Sequence, residues 1–470
     1  MKKTFIFGFI FCFFFAALSF NASAQEYKNF DLSKYYTPDI VRNQLDLNTS
    51  FSNSLSSNIS ENDSSVRQAS NWNLMPVFNR YKNTRKQQTA FNLELKSNGT
   101  SNGSINLSNT NSVSYLNANN DITLNYSSLF YNKKKLFLSL RLHGDYFGYI
   151  YKRHYTNNTN KTSESDNTFN LIPQVGIGLG RIEQVTDARQ AIYILDELNK
   201  KRLLKKDLSQ DEIFKFAQGI SKVKNKRFFD ARLRKIEEIT TVDSLLSEYI
   251  YSQNAAYFTT LNDMWEYGAI NERKSGQRFE MSLSSPIYYH NQSNTNYTID
   301  YLEKVLGSTF GGALSLTYIF EKPVAINWQH SVYANLDIHK KIGNSVSTKH
   351  TGSNSTTDAD IYGSTINATY ELSYYPNTRT SYSLITSESS TVDNQNLSDK
   401  YFDNSSIGFR NTISNSNLYT GISANHYFSP QLKLSAYAGM SLSSYRNSLK
   451  ISTESNASAR LGFSVTYSLF

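Results

Sequence analysis

Seven histidines and a single cysteine limit the chemistry this chain could carry. His290 and Ser293 stand three apart. On a strand that spacing puts them on opposite faces, where a base cannot reach its nucleophile. His143 and Asp145 are two apart, share a strand face and could couple. His330 and His339 are lone histidines, and a metal site would need further ligands that the sequence does not place beside them. Gly176-Ile177-Gly178-Leu179-Gly180-Arg181 has the glycine density of a phosphate loop. A dinucleotide fingerprint, however, needs a helix opening within it and an acid ~20 residues on. Here the glycines recur at every second position, so Gly176, Gly178 and Gly180 fall on one face of a strand. They are expected to be lumen-facing positions kept small for close approach. The expected neighbour is the first helix of the segment that follows, or the stretch Gln25 to Tyr36. No coherent catalytic set emerges, so the chain is not expected to be an enzyme, and no cofactor or metal is expected.

The other concentration of chemistry is charge. Lys200, Lys201, Arg202, Lys205 and Lys206 form one basic run, and Lys222, Lys224, Lys226, Arg227, Arg232, Arg234 and Lys235 a second. Acids at Asp187, Asp196, Glu197, Glu237, Glu238, Asp243 and Glu248 flank them. One reading is a salt-bridged, solvated helical face. The other is a patch for an anionic partner: a lipid head group, a periplasmic protein or a cell-wall component. Both runs lie in Glu183 to Glu272, where Ser/Asn-rich composition gives way to Lys, Arg, Glu, Leu and Ile. Thr186 can cap a helix with the stripe Ala188, Ile192, Leu195 and Leu198. Ser209 to Glu212 reads as a capping box, with Ile213, Phe216, Ala217 and Ile220 behind it. Two further runs, Asp230 to Ile239 and Asp243 to Trp265, complete a small helical insert.

Elsewhere the pattern has period two. Leu136, Leu138, Leu140 and Leu142 oppose Ser139, Arg141 and His143. Phe279, Met281 and Leu283 oppose Arg278, Glu280 and Ser282. Such runs often exceed ten residues, longer than the ~5–6 of soluble sheets. Tight turns, as at Pro376 to Arg379, alternate with long polar loops: Ser56 to Ser70, Ser97 to Asn120, Lys152 to Asn167, Asn291 to Ser308, Gly343 to Asp358, Thr391 to Ser405 and Asn447 to Asn456. The count is about fourteen strands, with Leu45 to Leu55 and Trp72 to Phe78 the weakest. The insert replaces a short turn.

The two ends agree with this. Lys2, Lys3, the apolar run Phe5 to Phe20 and Ala22-Ser23-Ala24 have the form of a cleaved export signal ending at residue 24. Cys12 lies inside it, so the mature chain has no cysteine for a disulfide, a nucleophile or a metal. Losing Lys2 and Lys3 takes the net charge from +9 to +7. A mean hydropathy of −0.49 suits a wall that meets lipid with only every second residue. At the C-terminus Leu461, Phe463, Val465, Tyr467 and Leu469 share an apolar face, and the chain stops on Phe470. This ending resembles the terminal signature strand of Gram-negative outer-membrane β-barrels. It departs in phase, because the alternation runs with Leu469 and not with Phe470. The resemblance makes Phe463, Tyr467, Leu469 and Phe470 the barrel-insertion signal, and the barrel-assembly machinery and outer-membrane lipid the partners.

The expected fold is an all-β transmembrane antiparallel barrel of about 14 strands with an inserted all-α periplasmic subdomain. Residues 25–182 and 273–470 would form its two halves and 183–272 the insert. Two functions stay open: a plugged or gated pore, or a membrane anchor whose insert docks a periplasmic protein or cell-wall partner. An outer-membrane hydrolase is a third. His290 and Ser293 are similar in residue type to the site of outer-membrane phospholipases, but that family has serine two residues after histidine. Nucleic acid does not fit an exported chain.

Overall fold

The computed structural model describes residues 30–59, 64–107, 112–132, 135–155, 161–226, 231–297, 301–349, 354–401, 406–429, 431–449 and 452–467. The export signal, Arg227, Leu469 and Phe470 lie outside them, as does the side chain of Arg232.

The strands are β1 (Ile40–Ile59), β2 (Ser64–Asn83), β3 (Gln87–Asn106), β4 (Ser112–Tyr131), β5 (Leu136–Tyr155), β6 (Lys161–Gln184), β7 (Lys274–Ser284), β8 (Ile287–Asn296), β9 (Tyr301–Ala325), β10 (Trp328–Lys349), β11 (Asn354–Tyr374), β12 (Thr380–Tyr401), β13 (Ser406–Tyr427), β14 (Leu432–Asn447) and β15 (Ser452–Tyr467). All pair antiparallel in chain order, except that β7 and β8 share one place between β6 and β9. Ser285 and Pro286 divide them, and proline has no N–H for a ladder. The fifteen strands therefore fill fourteen places. Among the described residues β1 pairs only with β2, and β15 only with β14.

Parity gives the wall two chemistries. On β5, Leu136, Leu138 and Leu140 point outward and are exposed, while Phe137 and Ser139 point inward and are buried. On β7, Phe279, Met281 and Leu283 face out, and Glu280 and Ser282 face in. Trp328, Tyr374 and Tyr382 stack on the outer face with ring centroids 4.4 and 6.3 Å apart, at the short-turn end where an aromatic girdle is expected.

The polar stretches read as long loops are mostly strand. β1 to β5 are 20 residues each and β9 is 25, where ~9–11 cross the hydrocarbon. Asn98 to Ile105, for example, pair residue by residue with β2 and β4. Beyond the apolar band both faces are wet, so the alternation fades while the ladder continues.

The insert holds α1 (Thr186–Lys200), α2 (Gln210–Asn225), α3 (Ala231–Leu246) and α4 (Ala255–Tyr267). Val185, not Thr186, is the N-cap of α1. The Thr186 hydroxyl instead accepts the Arg273 N–H at 2.8 Å, joining the insert's two ends. The Ser209–Glu212 capping box of α2 is complete. The runs Asp230 to Ile239 and Asp243 to Trp265 divide elsewhere: α3 continues through Asp243, and the break comes at Ser247 to Asn254, where Asn254 caps α4. One apolar core joins Ala188, Ile192, Leu195, Phe216, Ile220, Leu246 and Leu261 to Leu32 and Tyr35 of the N-terminal segment and Ile326 of the β9–β10 turn.

Candidate functional site

The first candidate is the short-turn mouth. An even ring of fourteen strands would be about 28 Å across, but the wall is drawn in at this end: Gln88 of β3 donates to Ile182 O of β6 at 3.0 Å, and Arg181 of β6 donates to Asn83 Oδ1 of β2 at 2.8 Å. A 3-10 turn at Leu32–Lys34 packs against β7 and β9, and β1 begins at Ile40, which is paired with that same Asn83. The segment between them runs along the end of β6, beside the insert. Its contacts mark the path. The Tyr35 hydroxyl lies 2.9 Å from Ser221 Oγ of α2, Thr37 Oγ1 donates to Gln184 O at 3.0 Å, and the Arg85 guanidinium sits 4.1 Å over the Tyr36 ring. Burial pushes the Tyr35 phenol's pKa up, so it stays protonated as a donor.

The insert is clamped to this end without a linker. Val185 N donates to Arg273 O at 2.8 Å, and only Val185 separates β6 from α1. Arg273 is fully buried and donates to the carbonyls of Ala325, Ile326 and Trp328 at 2.9, 2.5 and 2.6 Å. Arg189, also buried, donates to the carbonyls of Gly268 and Asn271. Both guanidiniums lie over Tyr375, at 5.3 Å for Arg189 and 5.0 Å for Arg273. Desolvation holds both below the ordinary arginine pKa, and for Arg273 the adjacent Arg189 adds to it. Arg379 of the β11–β12 turn lies 4.0 Å over Tyr267 and 3.8 Å from Asp263. The insert thus touches turns on several sides of the mouth.

The second candidate is the lumen wall. Gly176, Gly178 and Gly180 face inward opposite Ser282, Glu280 and Arg278. Their neighbours are not a helix or the N-terminal stretch. A Cβ on Gly178 would come within 2.2 Å of Phe137 Cζ, and one on Gly176 within 2.7 Å of Ser139 Oγ and of Ser282 Cβ. Gly180 has φ +99° and lies against the Gln277 carbonyl. The glycines let side chains of β5 reach across β6: Ser139 Oγ donates to Glu280 Oε1 at 2.7 Å and Arg141 Nη2 to Glu280 Oε2 at 2.5 Å. The close approach is side chain to wall, because α1 packs into the insert's own core.

Histidines gain partners that spacing did not show. His339 Nδ1 lies 3.2 Å from Asp337 and Nε2 3.0 Å from Asp393, two strands away. Gly363, between them on β11, leaves the gap that lets the ring reach. His330 Nδ1 lies 2.8 Å from the Tyr370 hydroxyl. His143 Nε2 lies 2.6 Å from Asp145 Oδ2, a coupling its spacing allowed, and 2.7 Å separate Nδ1 from Asn125 Oδ1. His290 turns to Thr168 and Asp166 at 3.3 Å, while Ser293 is registered against Ser165. Among the described residues no group of three or more His, Cys, Asp or Glu could hold a metal.

Much of the basic patch is paired within the insert. Lys200 meets Asp196 and Glu197, Lys206 meets Glu212, Lys224 meets Asp187, Arg234 meets Glu238, and Lys235 meets Glu266, all between 2.5 and 2.9 Å. Lys201 donates to Thr260 Oγ1 at 2.6 Å. Arg202, Lys222 and Lys226 remain exposed, as does Lys205, which donates to Glu248 O at 3.4 Å.

No family model matches the chain, and no curated protein sequence does. Among solved structures it is similar to the transport unit of the autotransporter AIDA-I from Escherichia coli, at 9% identity and TM-score 0.25, over 94% of this chain and 93% of that one. It is similar to OmpT, an outer membrane protein of Vibrio cholerae, at 7% identity and TM-score 0.19, over 92% and 99%. A third is OccK7 (OpdD) of Pseudomonas aeruginosa, at 8% identity and TM-score 0.15, over 91% and 98%. These overlaps are too loose to carry a function across.

Proposed function

We propose that this chain is an outer-membrane β-barrel that passes small polar solutes through a channel capped at its periplasmic mouth. The observation that carries the reading is the clamped insert, packed with Leu32 and Tyr35 at the short-turn end where side chains of β2 and β3 reach β6, beneath a wet inner wall. Bacterial barrels put short turns in the periplasm, which supports placing the insert on that side. In planar bilayers the full chain should conduct poorly or intermittently. A version with Glu183 to Glu272 replaced by a short turn should conduct steadily. Equal, steady conductance from both rejects the cap. It would favour the second reading, an anchor whose insert docks a periplasmic or cell-wall partner, for which exposed Arg202, Lys222 and Lys226 are available cations. Sidedness has its own test: a cysteine at Lys205 should resist labelling on intact cells, and surface labelling there reverses the topology.

A further inference from the structure

Two inward rows of β1 to β6 enclose a hollow of about 480 Å³ in the lumen wall. In the first row Arg42, Tyr81, Ala90, Ser127, Arg141 and Gln174 stand in register. The small Ala90 and Ser127 form its floor, between Arg42 and Tyr81 on one side and Arg141 and Gln174 on the other. In the second row Asn92 Nδ2 donates to Asn79 Oδ1 at 2.9 Å and Asn125 Nδ2 to Asn92 Oδ1 at 3.5 Å, and Asn125 Oδ1 faces His143. This ladder uses the amide oxygens and leaves each of those Nδ2 groups a second N–H. No Asp or Glu lines the hollow. Arg141 is already neutralised by Glu280, whereas Arg42 has no hydrogen-bond or ion-pair partner among the described residues.

The inward rows are therefore rich in donors and carry one uncompensated guanidinium, that of Arg42, in a space of ordinary ligand size. A guanidinium binds a carboxylate or phosphate through two parallel N–H bonds, and amide N–H groups suit hydroxyl oxygens. We infer that the hollow binds a small hydroxylated solute bearing an oxyanion group, such as a sugar acid or sugar phosphate. This deepens the reading of the lumen as a solute passage.

The test is calorimetric titration of the full chain in detergent micelles with glucuronate, glucose 6-phosphate and glucose. At least one of the two anions should bind ten-fold or more tighter than glucose, and which of them does so identifies the oxyanion. Arg42→Gln should remove that preference. Ala90→Phe, which fills the floor, should abolish binding while heat-modifiable gel migration stays that of the parent barrel. Glucose binding as tightly as both anions, or an unchanged preference in Arg42→Gln, overturns the proposal. No current is measured, so a barrel that binds but never conducts refutes the passage alone, and one that conducts but never binds refutes the site alone.

Discussion

The seam between β1 and β15 allows a register to be calculated and then broken. Sixteen to twenty residues of unpaired edge could not stand in lipid, where every N–H and C=O needs a partner. With fourteen places β1 and β15 run antiparallel, so they can close on each other. Following the pairings from Arg42 on β1 around the sheet leads to Ser452 on β15. For strands ~4.8 Å apart tilted by ~35–45°, the stagger on closure is about 47–67 Å, or about 14–20 residues at ~3.4 Å each. Only even values keep Leu461, Phe463 and Val465 on the same face as Leu45 and Leu47. Ser458 must then face Ser50, Ser52, Ser54 or Ser56. A level mouth, with Tyr467 beside Val41 or Asn43, selects Ser50 or Ser52. A disulfide needs Cα atoms within ~7 Å. Directly opposed residues lie ~4.5–5.5 Å apart, and a slip of two residues widens that to about 8 Å. No cysteine follows Cys12 in the sequence, so Ser458→Cys can be combined in turn with Cys at each of the four serines. One pair should form an intramolecular disulfide that shifts mobility on a non-reducing gel after boiling. Absence of any intramolecular product, or dimers in all four, would refute closure of the chain upon itself.

Three other perturbations follow from local geometry. Glu280→Gln removes the only carboxylate at 2.5 Å from Arg141 and should lower unfolding stability by roughly 3 kcal/mol, read from denaturant midpoints in micelles. Gly178→Leu must displace Phe137 and meets the Phe279 carbonyl, so a loss of about 1–3 kcal/mol is expected, against little change for Gly103→Ala, where the Cβ meets nothing within 4 Å. Glu212 has its carboxyl pKa pulled down to about 2 by the Lys206 ammonium and by Ser209. A depressed carboxyl stabilises above its ordinary value and loses that contribution as pH falls through the folded one. The helical signal of the insert should therefore weaken between pH 4.5 and 2, and Glu212→Gln should flatten that limb; an unchanged acid limb would remove the assignment.

What the sequence disclosed depended on whether the signal was local. Leu136 to Leu142 and Phe279 to Leu283 show their faces because one side meets an apolar medium and the other water. Asn98 to Asn106 have water on both sides, so no contrast marks them as strand. Ser209 and Glu212 announce a helix start because a capping box closes within three residues. The break after Leu246 rests on Asn254 and carries a weaker mark. The His339–Asp393 pair is 54 residues apart in sequence and depends on Gly363, so no spacing rule reaches it. The contacts of Leu32 to Ile40 were equally hidden, since their partners are in the insert and at the end of β6. Parity did place Arg141, Arg278, Glu280 and the three glycines on the inner face, while the hydrogen bonds of Glu280 required the fold.

The height of the wall also sets a clock. Twenty residues at ~3.3 Å, tilted ~40°, stand about 50 Å tall, twice the ~25 Å apolar band. A solute that wanders by diffusion takes a time proportional to the square of the path. Passage through this tube should thus last about four times longer than through one trimmed to the membrane. Most of that extra time is spent against hydroxyl and amide side chains, before the narrow end is reached. In the proposed passage the tall polar collar would act as a delay line that lengthens each solute's sampling of the inner wall, so that even a weak hollow would have time to be occupied.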